Sequence, residues 1–217
     1  YGSLLLVGLA TLFALPVGLL AAIYLSEYRA RRLASAVRFI GELMGSVPSI
    51  VIGIFAYAVV VKPMGHFSGW AGGFALGVMM IPIFMRAAEG ALRLVPVSIR
   101  QASDALGARR WQTTLRVVIP AALPALITAL FLSIARIAGE TAPLLLTASS
   151  NQYWPTSPND FTPSLPVYIF TYAVSPYEDW HRQAWAAALV LLTVIMLLNF
   201  GIRFLSRKSE ISATQIE

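Results

Sequence analysis

The sequence predicts an all-α membrane protein, a polytopic bundle of transmembrane helices, and three observations carry that prediction. Of the 217 residues, 58% are hydrophobic and only 12% are charged, and the mean hydropathy is +0.72, far from a water-soluble domain of this size. Stretches without Asp, Glu, Lys or Arg run from Tyr1 to Ser26, Leu43 to Val61, Pro63 to Met85, Val117 to Ala135 and Gln183 to Ile202. Each approaches the roughly 20 residues that a helix needs to cross a bilayer. The runs are continuously apolar, as in Leu189 to Leu198, whereas a β-barrel would alternate apolar and polar residues over segments of about ten.

The expected organisation is a single transmembrane domain over 1–217, with spans at about 2–25, 43–62, 68–90, 117–148 and 183–204. The first span is not a secretory signal, because its uncharged run is too long for an h-region and no basic n-region precedes it. Ser26 to Glu42, with Tyr28, Arg31 and Arg32, reads as a short basic connector required by topology alone. Alternating the five spans places thirteen of the sixteen Lys and Arg on one side, in the groups Arg29 to Arg38, Arg86 to Arg116 and Arg203 to Lys208. Lys62 and Arg182 fall on the other side, and Arg136 falls inside a span. Basic residues are retained on the cytoplasmic side, so the loop at 91–116 is cytoplasmic and the loop at 149–181 external. Tyr1 then starts outside and is not Met, and one further amino-terminal span is expected.

Several function classes drop out. The chain has no cysteine and only two histidines, His66 and His181, at no metal-ligand spacing. The net charge of +6 is spread around the spans, which suits lipid headgroups and orientation, and no nucleic acid partner is expected. No Gly is followed by Lys, so no phosphate-cradling GxxxxGK loop is present and any nucleotide hydrolysis falls to another polypeptide.

The soluble segments differ in character. In the cytoplasmic one, Pro96 stands where a helix starts and Gly107 where one stops. Between Val97 and Leu106, helical geometry places Ile99, Ala102 and Leu106 on one stripe and Arg100 with Asp104 on another. The pattern alone fits an ordinary helix on the membrane surface. The external segment holds five of the thirteen prolines and eight of the twenty-four aromatics, including Trp154, Phe161, Tyr168 and Trp180. Its stretch Leu165 to Ala173 suits a short interfacial element, since aromatic rings settle at headgroup depth.

The cytoplasmic string Gln101-Ala102-Ser103, three residues, Gly107, nine residues, then Val117-Val118-Ile119-Pro120 resembles the EAA loop of ABC importer permeases. Every anchor keeps its spacing, while Gln replaces the leading Glu, Ser the second Ala, and Val117 and Ile119 the usual Ile and Leu. Gly45-Ser46-Val47-Pro48-Ser49-Ile50-Val51 and Ile134-Ala135-Arg136-Ile137-Ala138-Gly139-Glu140-Thr141-Ala142-Pro143 narrow the resemblance to the phosphate branch, and the Thr-Ala-Pro ending favours its PstA-like over its PstC-like members.

That resemblance implies the ABC importer type I permease fold, with five spans visible of an expected six, in a bacterial or archaeal cytoplasmic (inner) membrane. It implies a phosphate importer in which this chain and a PstC-like permease chain each form half of the pathway. It also implies two copies of a cytoplasmic PstB-like ATPase, an external PstS-like phosphate-binding protein, and no cofactor on this chain, with ATP and Mg bound by the ATPase. Gln101, Ala102, Ser103, Asp104, Ala105, Leu106 and Gly107 would couple to the ATPase as a helix in a groove. Pro120 and Pro124 would act as bending points or serve packing alone.

Arg136 and Glu140 stand out energetically. A charge at bilayer depth costs about 2.5 to 3.5 kcal/mol by insertion scales, so it faces a partner or a wet cavity. Four residues apart on one helical face, the two neutralise each other, or the guanidinium holds Glu140 and still presents donors to an oxyanion. In the family picture Arg86 is a second cation on the path, unless it simply snorkels to the interface, and Thr141 offers a hydroxyl. The external loop would dock the binding protein or serve as an aromatic belt. Two rival readings are a permease for sulfate, molybdate or phosphonate and a membrane-embedded enzyme, though no nucleophile with an adjacent base is visible.

Overall fold

The structure, a computed structural model, describes residues 1–28, 32–151 and 153–213, with side chains as far as 201. Arg29, Arg31 and the side chains of Arg203, Arg207 and Lys208, which entered the count of basic residues, lie outside the described residues.

The first helix, α1 (Gly2–Glu27), buries Leu6, Ala10, Ala14, Gly18 and Ala22 at every fourth position. This stripe of small residues lets it lie close along the central helix, α5 (Gly69–Arg93). A Cβ on Gly73 would stand 2.5 Å from the Leu9 Cβ, and one on Gly18 would stand 2.9 Å from the Phe84 ring. Within a bilayer helices gain little from burying apolar surface, so such close backbone approach carries the association. Phe84, Ala88 and Leu92 of α5 pack with Ala22 of α1 and Val118, Ala122 and Leu126 in one half of the bundle. Leu6, Leu76, Met80, Ile137, Leu144 and Val167 form the core of the other half.

Between α1 and α5 the chain differs from the expected pattern. The predicted basic connector is largely helical, as α2 (Arg32–Ser46), with Arg38 and Glu42 on one side and Leu33, Phe39, Ile40 and Leu43 on an exposed apolar side. Gly41 brings α2 against α5, where a Cβ would meet the Met85 Cε at 2.2 Å. The expected straight span at 43–62 is bent. α2 and the following helix meet at 101°, since Pro48 disfavours helical backbone at Val47 and itself adopts φ −56 and ψ 136. After the bend come α3 (Ser49–Ala56), a π-helical turn (Tyr57–Val61) and α4 (Lys62–Met64), ended by Gly65 at φ +75.

α6 (Val97–Ala105) follows α5. A continuous helical stretch then runs through α7 (Arg110–Thr113), a π-helical turn (Thr114–Val118) and α8 (Ile119–Ala138). Pro120 and Pro124 have no N–H to give the preceding turn, and the wide π turn lies where the first of these donors is missing. The cytoplasmic loop expected at 91–116 is thus shorter, its two ends belonging to helices. The span expected at 117–148 stops at Ala138, where Gly139 ends α8, and a one-turn helix, α9 (Ala142–Leu145), follows. After the external loop come α10 (Leu165–Ala173) and α11 (Glu178–Ala213). The last span therefore begins before the expected Gln183. Among the described residues four helices are long and apolar enough to cross a membrane, or five if the bent pair is one span.

The external loop is tied down at the amino-terminal ends of α1 and α5. The Gly69 N–H donates to the Asp160 carbonyl at 3.2 Å, the Trp70 N–H to the Pro158 carbonyl at 3.2 Å and the Ser68 N–H to the Thr147 carbonyl at 3.1 Å. The Leu165 N–H donates to the Ser3 hydroxyl at 2.8 Å, and Tyr1 stacks on Trp154. The first turn of a helix leaves N–H groups without partners, and at α5 the carbonyls of Asp160 and Pro158 supply them. The loop is therefore a packed cover for this end of the bundle.

Candidate functional site

Two sets of predicted residues lie at opposite ends of the molecule. At the end expected to be cytoplasmic, α6 begins after Pro96 and ends at Gly107, whose φ of +78 reverses the chain. The Gly107 N–H donates to the Asp104 carbonyl at 2.9 Å and the Ala108 N–H to the Ser103 carbonyl at 3.2 Å, satisfying the last carbonyls of the helix. Of Gln101 to Gly107 only Ser103 is buried, and its hydroxyl lies 2.9 Å from that of Thr113. Gln101, Ala102, Asp104, Ala105, Leu106 and Gly107 are exposed, as are Val97 and Ile99. The stripe of Ile99, Ala102 and Leu106 thus faces away from the bundle, and Leu106 is 89% exposed. An exposed apolar stripe on a helix held from behind by polar bonds is not part of the core.

The inner side of α6 is polar. Arg100 pairs with Glu27 at the end of α1, and its second terminal nitrogen donates to the Leu92 carbonyl at 2.9 Å. Glu27, Arg93, Arg100, Asp104, Arg110 and Thr113 contribute to the wall of an open cavity of about 580 Å³ at this end. Nearby, Glu89 is only 7% exposed. It accepts from Arg38 at 2.9 Å and also pairs with Arg93, so one carboxylate joins α2 to α5. Sequence reasoning passed over Glu89, although a lone acidic residue near the end of an apolar span was the signal for it. No sequence signal marks the pairing of Glu27 with Arg100, which are 73 positions apart.

At the other end, Arg136 donates to Glu140 at 2.6 Å. Its side chain is 64% exposed against 13% for Glu140, so the cation looks outward from the chain while the carboxylate sits in the fold. Both were expected within one span, but Glu140 lies past the end of α8, its N–H donating to the Ile137 carbonyl at 3.1 Å. Arg136 is 17 residues beyond Ile119, about 25 Å along α8 at 1.5 Å per residue. Thr141 opens α9, its carbonyl accepting from the Leu144 N–H at 3.1 Å. Arg86 is not gathered with these residues. It stands toward the carboxyl-terminal end of α5, 3.6 Å from Glu42 of α2, with both side chains about half exposed.

In the external loop, Asp160 accepts from the Ser157 N–H at 2.8 Å and from the Thr156 hydroxyl and N–H, each at 2.9 Å. These bonds, the Ser157 one first, hold its carboxyl below the ordinary value of 3.8.

Comparison with known proteins adds the following. The profile of the family described as binding-protein-dependent transport system inner membrane component matches residues 14–210. The phosphate transport system permease protein PstA of Yersinia pestis is 45% identical, over 96% of this chain and 71% of that protein. PstA of Haemophilus influenzae is 44% identical over 93% and 72%. The probable phosphate transport system permease protein PstA of Methanocaldococcus jannaschii is 35% identical over 94% and 73%. Among solved structures, a chain of the inward-facing MetNI methionine ABC transporter superposes with a TM-score of 0.75 at 21% identity, covering 95% of this chain and 90% of that one. At that identity the likeness is one of fold.

Proposed function

This chain belongs to the binding-protein-dependent transport system inner membrane components, and from that premise we propose that its cargo is inorganic phosphate. It is a multi-pass transport subunit of an ABC importer in the cytoplasmic membrane, with the helical fold of that class. The single observation that carries the choice of cargo is the identity of 45% to a phosphate permease over nearly the whole chain.

The proposed pathway is shared with a homologous, PstC-like permease chain. Moving an anion through hydrocarbon without compensation is prohibitive, and Arg136 supplies a permanent cation with a forked set of donors. Its exposure supports this role, because an outward guanidinium at membrane depth needs either a partner chain or an aqueous path. Glu140 occupies one side of the guanidinium, so an entering phosphate meets a partly neutralised cation and is not held tightly. Arg86 supplies a second cation nearer the cytoplasm, and Thr141 a hydroxyl beside Glu140.

The exposed stripe of α6 is the proposed docking face for one of two copies of a PstB-like ATPase, which bind ATP and Mg, the second copy docking on the PstC-like chain. Closure of those subunits moves α6, and the spans follow as rigid bodies. A PstS-like binding protein docks on the external loop, whose packing over the ends of α1 and α5 makes it a continuous surface. The chemistry at Arg136 also suits another oxyanion. Uptake of labelled phosphate by the assembled complex is therefore measured against unlabelled sulfate, molybdate and phosphonate. Competition by phosphate alone is the expected result, and equal competition by any of the others overturns the assignment.

A further inference from the structure

We propose that Arg100 is a positioning residue that carries movement of α6 to α1. The inference rests on the reading of α6 as the helix that docks the ATPase. The outward side of α6 is free for a partner, while Arg100 points inward and grips two spans at once. One terminal nitrogen pairs with Glu27, the last residue of α1, and the other donates to the Leu92 carbonyl at 2.9 Å. The Arg100 and Glu27 side chains are 17% and 19% exposed, so water screens the pair only partly.

Each grip has a physical reason. Leu92 lies in the final turn of α5, where carbonyls lack partners within the helix. Glu27 sets a negative charge against the negative end of the α1 dipole, which is unfavourable until a cation stands beside it. A single guanidinium corrects both defects, and its planar fork keeps the two helix ends at a fixed spacing. The neighbouring Arg93 is engaged with Glu89.

The grip on α1 reaches a span that the chain itself does not deliver. α6 is joined to α5 by three residues and to α8 through α7, so those spans follow α6 through the backbone. α1 is 73 positions away at Glu27. α1 is otherwise held to the bundle by its packing along α5, and a polar tie at its end couples it to α6 directly.

The test uses the assembled transporter in liposomes, with permease pair, ATPase and binding protein. It reads anion taken up per ATP hydrolysed, for whichever anion the unaltered complex carries, together with the amount of ATPase bound. Arg100→Gln and Glu27→Gln each lower uptake per ATP by about fivefold or more, the scale of an allosteric coupling contact, and leave ATPase binding unchanged. The chain has no cysteine, so Glu27→Cys with Arg100→Cys allows a direct control. This double variant is poorly coupled as free thiols, recovers when a short bifunctional thiosulfonate bridges them, and loses coupling again on reduction. Normal coupling in the single variants, no recovery on bridging, or loss of ATPase binding in Arg100→Gln each overturns the proposal. Failure of both Gln variants to assemble also overturns it, as the pair then serves folding. An unaltered complex that binds no ATPase overturns the docking reading instead.

Discussion

Arg136 donates to Glu140 at 2.6 Å across the end of α8, with the guanidinium 64% exposed and its carboxylate partner 13% exposed. The asymmetry leaves donors of the cation free while one carboxylate oxygen holds it in place. A charge-assisted hydrogen bond is worth about 1.5–3 kcal/mol, so Arg136→Gln lowers phosphate uptake by about tenfold or more. Arg136→Lys keeps the charge without the fork and falls between the two. Uptake is measured beside ATPase copurification, which stays unchanged; normal uptake by Arg136→Gln would falsify the role.

At the opposite end, Leu106 is the most exposed residue of the apolar stripe on α6. Truncating an interface anchor costs about 2 kcal/mol or more, and Leu106→Glu adds a charge to be buried. Binding of the ATPase to the purified permease pair weakens by about 30-fold, a figure that follows from that energy. The helix content of the variant is unchanged, since no described neighbour packs over this position. Equal binding by the two proteins removes α6 as the docking helix.

Two glycines separate packing from propensity. A Cβ on Gly53 would stand 2.8 Å from the Cα of Pro143, a backbone atom that moves only with its segment. Gly53→Ala costs about 1–3 kcal/mol and loosens the turn that follows Arg136 and Glu140, so thermal stability in detergent and uptake fall together. Gly8 has nothing within 4 Å of a built Cβ, and Gly8→Ala leaves stability unchanged or raises it by up to about 1 kcal/mol. The reverse order of stabilities would contradict the packing of α3 on α9.

The Asp160 turn has a defined response to pH. Its folded carboxyl titrates below 3.8, so its contribution to order is present above that value and is lost as the pH falls through the lowered one. Amide exchange at residues 156 and 157 is therefore protected to the same extent relative to intrinsic rates at pH 7 and pH 5, and Asp160→Asn weakens that protection at both. Loss of protection between pH 7 and pH 5 in the unaltered protein rules the turn out as its source.

Composition and spacing foretold the helical class and the extent of α6, including the positive φ at Gly107. These depend on local free energies: the transfer of apolar runs into lipid and the backbone freedom of a single glycine. The same reasoning drew a straight span through Ser46 to Ser49, where Pro48 turns the chain, and carried one past Gly139. A hydropathy window averages over such breaks.

By itself, then, the sequence determined that the chain crosses a membrane as a bundle of helices, where α6 begins and ends, and that Arg136 and Glu140 are unusual beside an apolar run. Tertiary structure alone decided that α6 turns its apolar stripe outward and Arg100 inward, that Arg100 reaches Glu27, and that Arg38 reaches Glu89 from 51 positions away. Spans follow from each residue's affinity for lipid or water, a property of short windows. Pairings between distant charges follow from how closely small residues let whole helices approach, which no window contains.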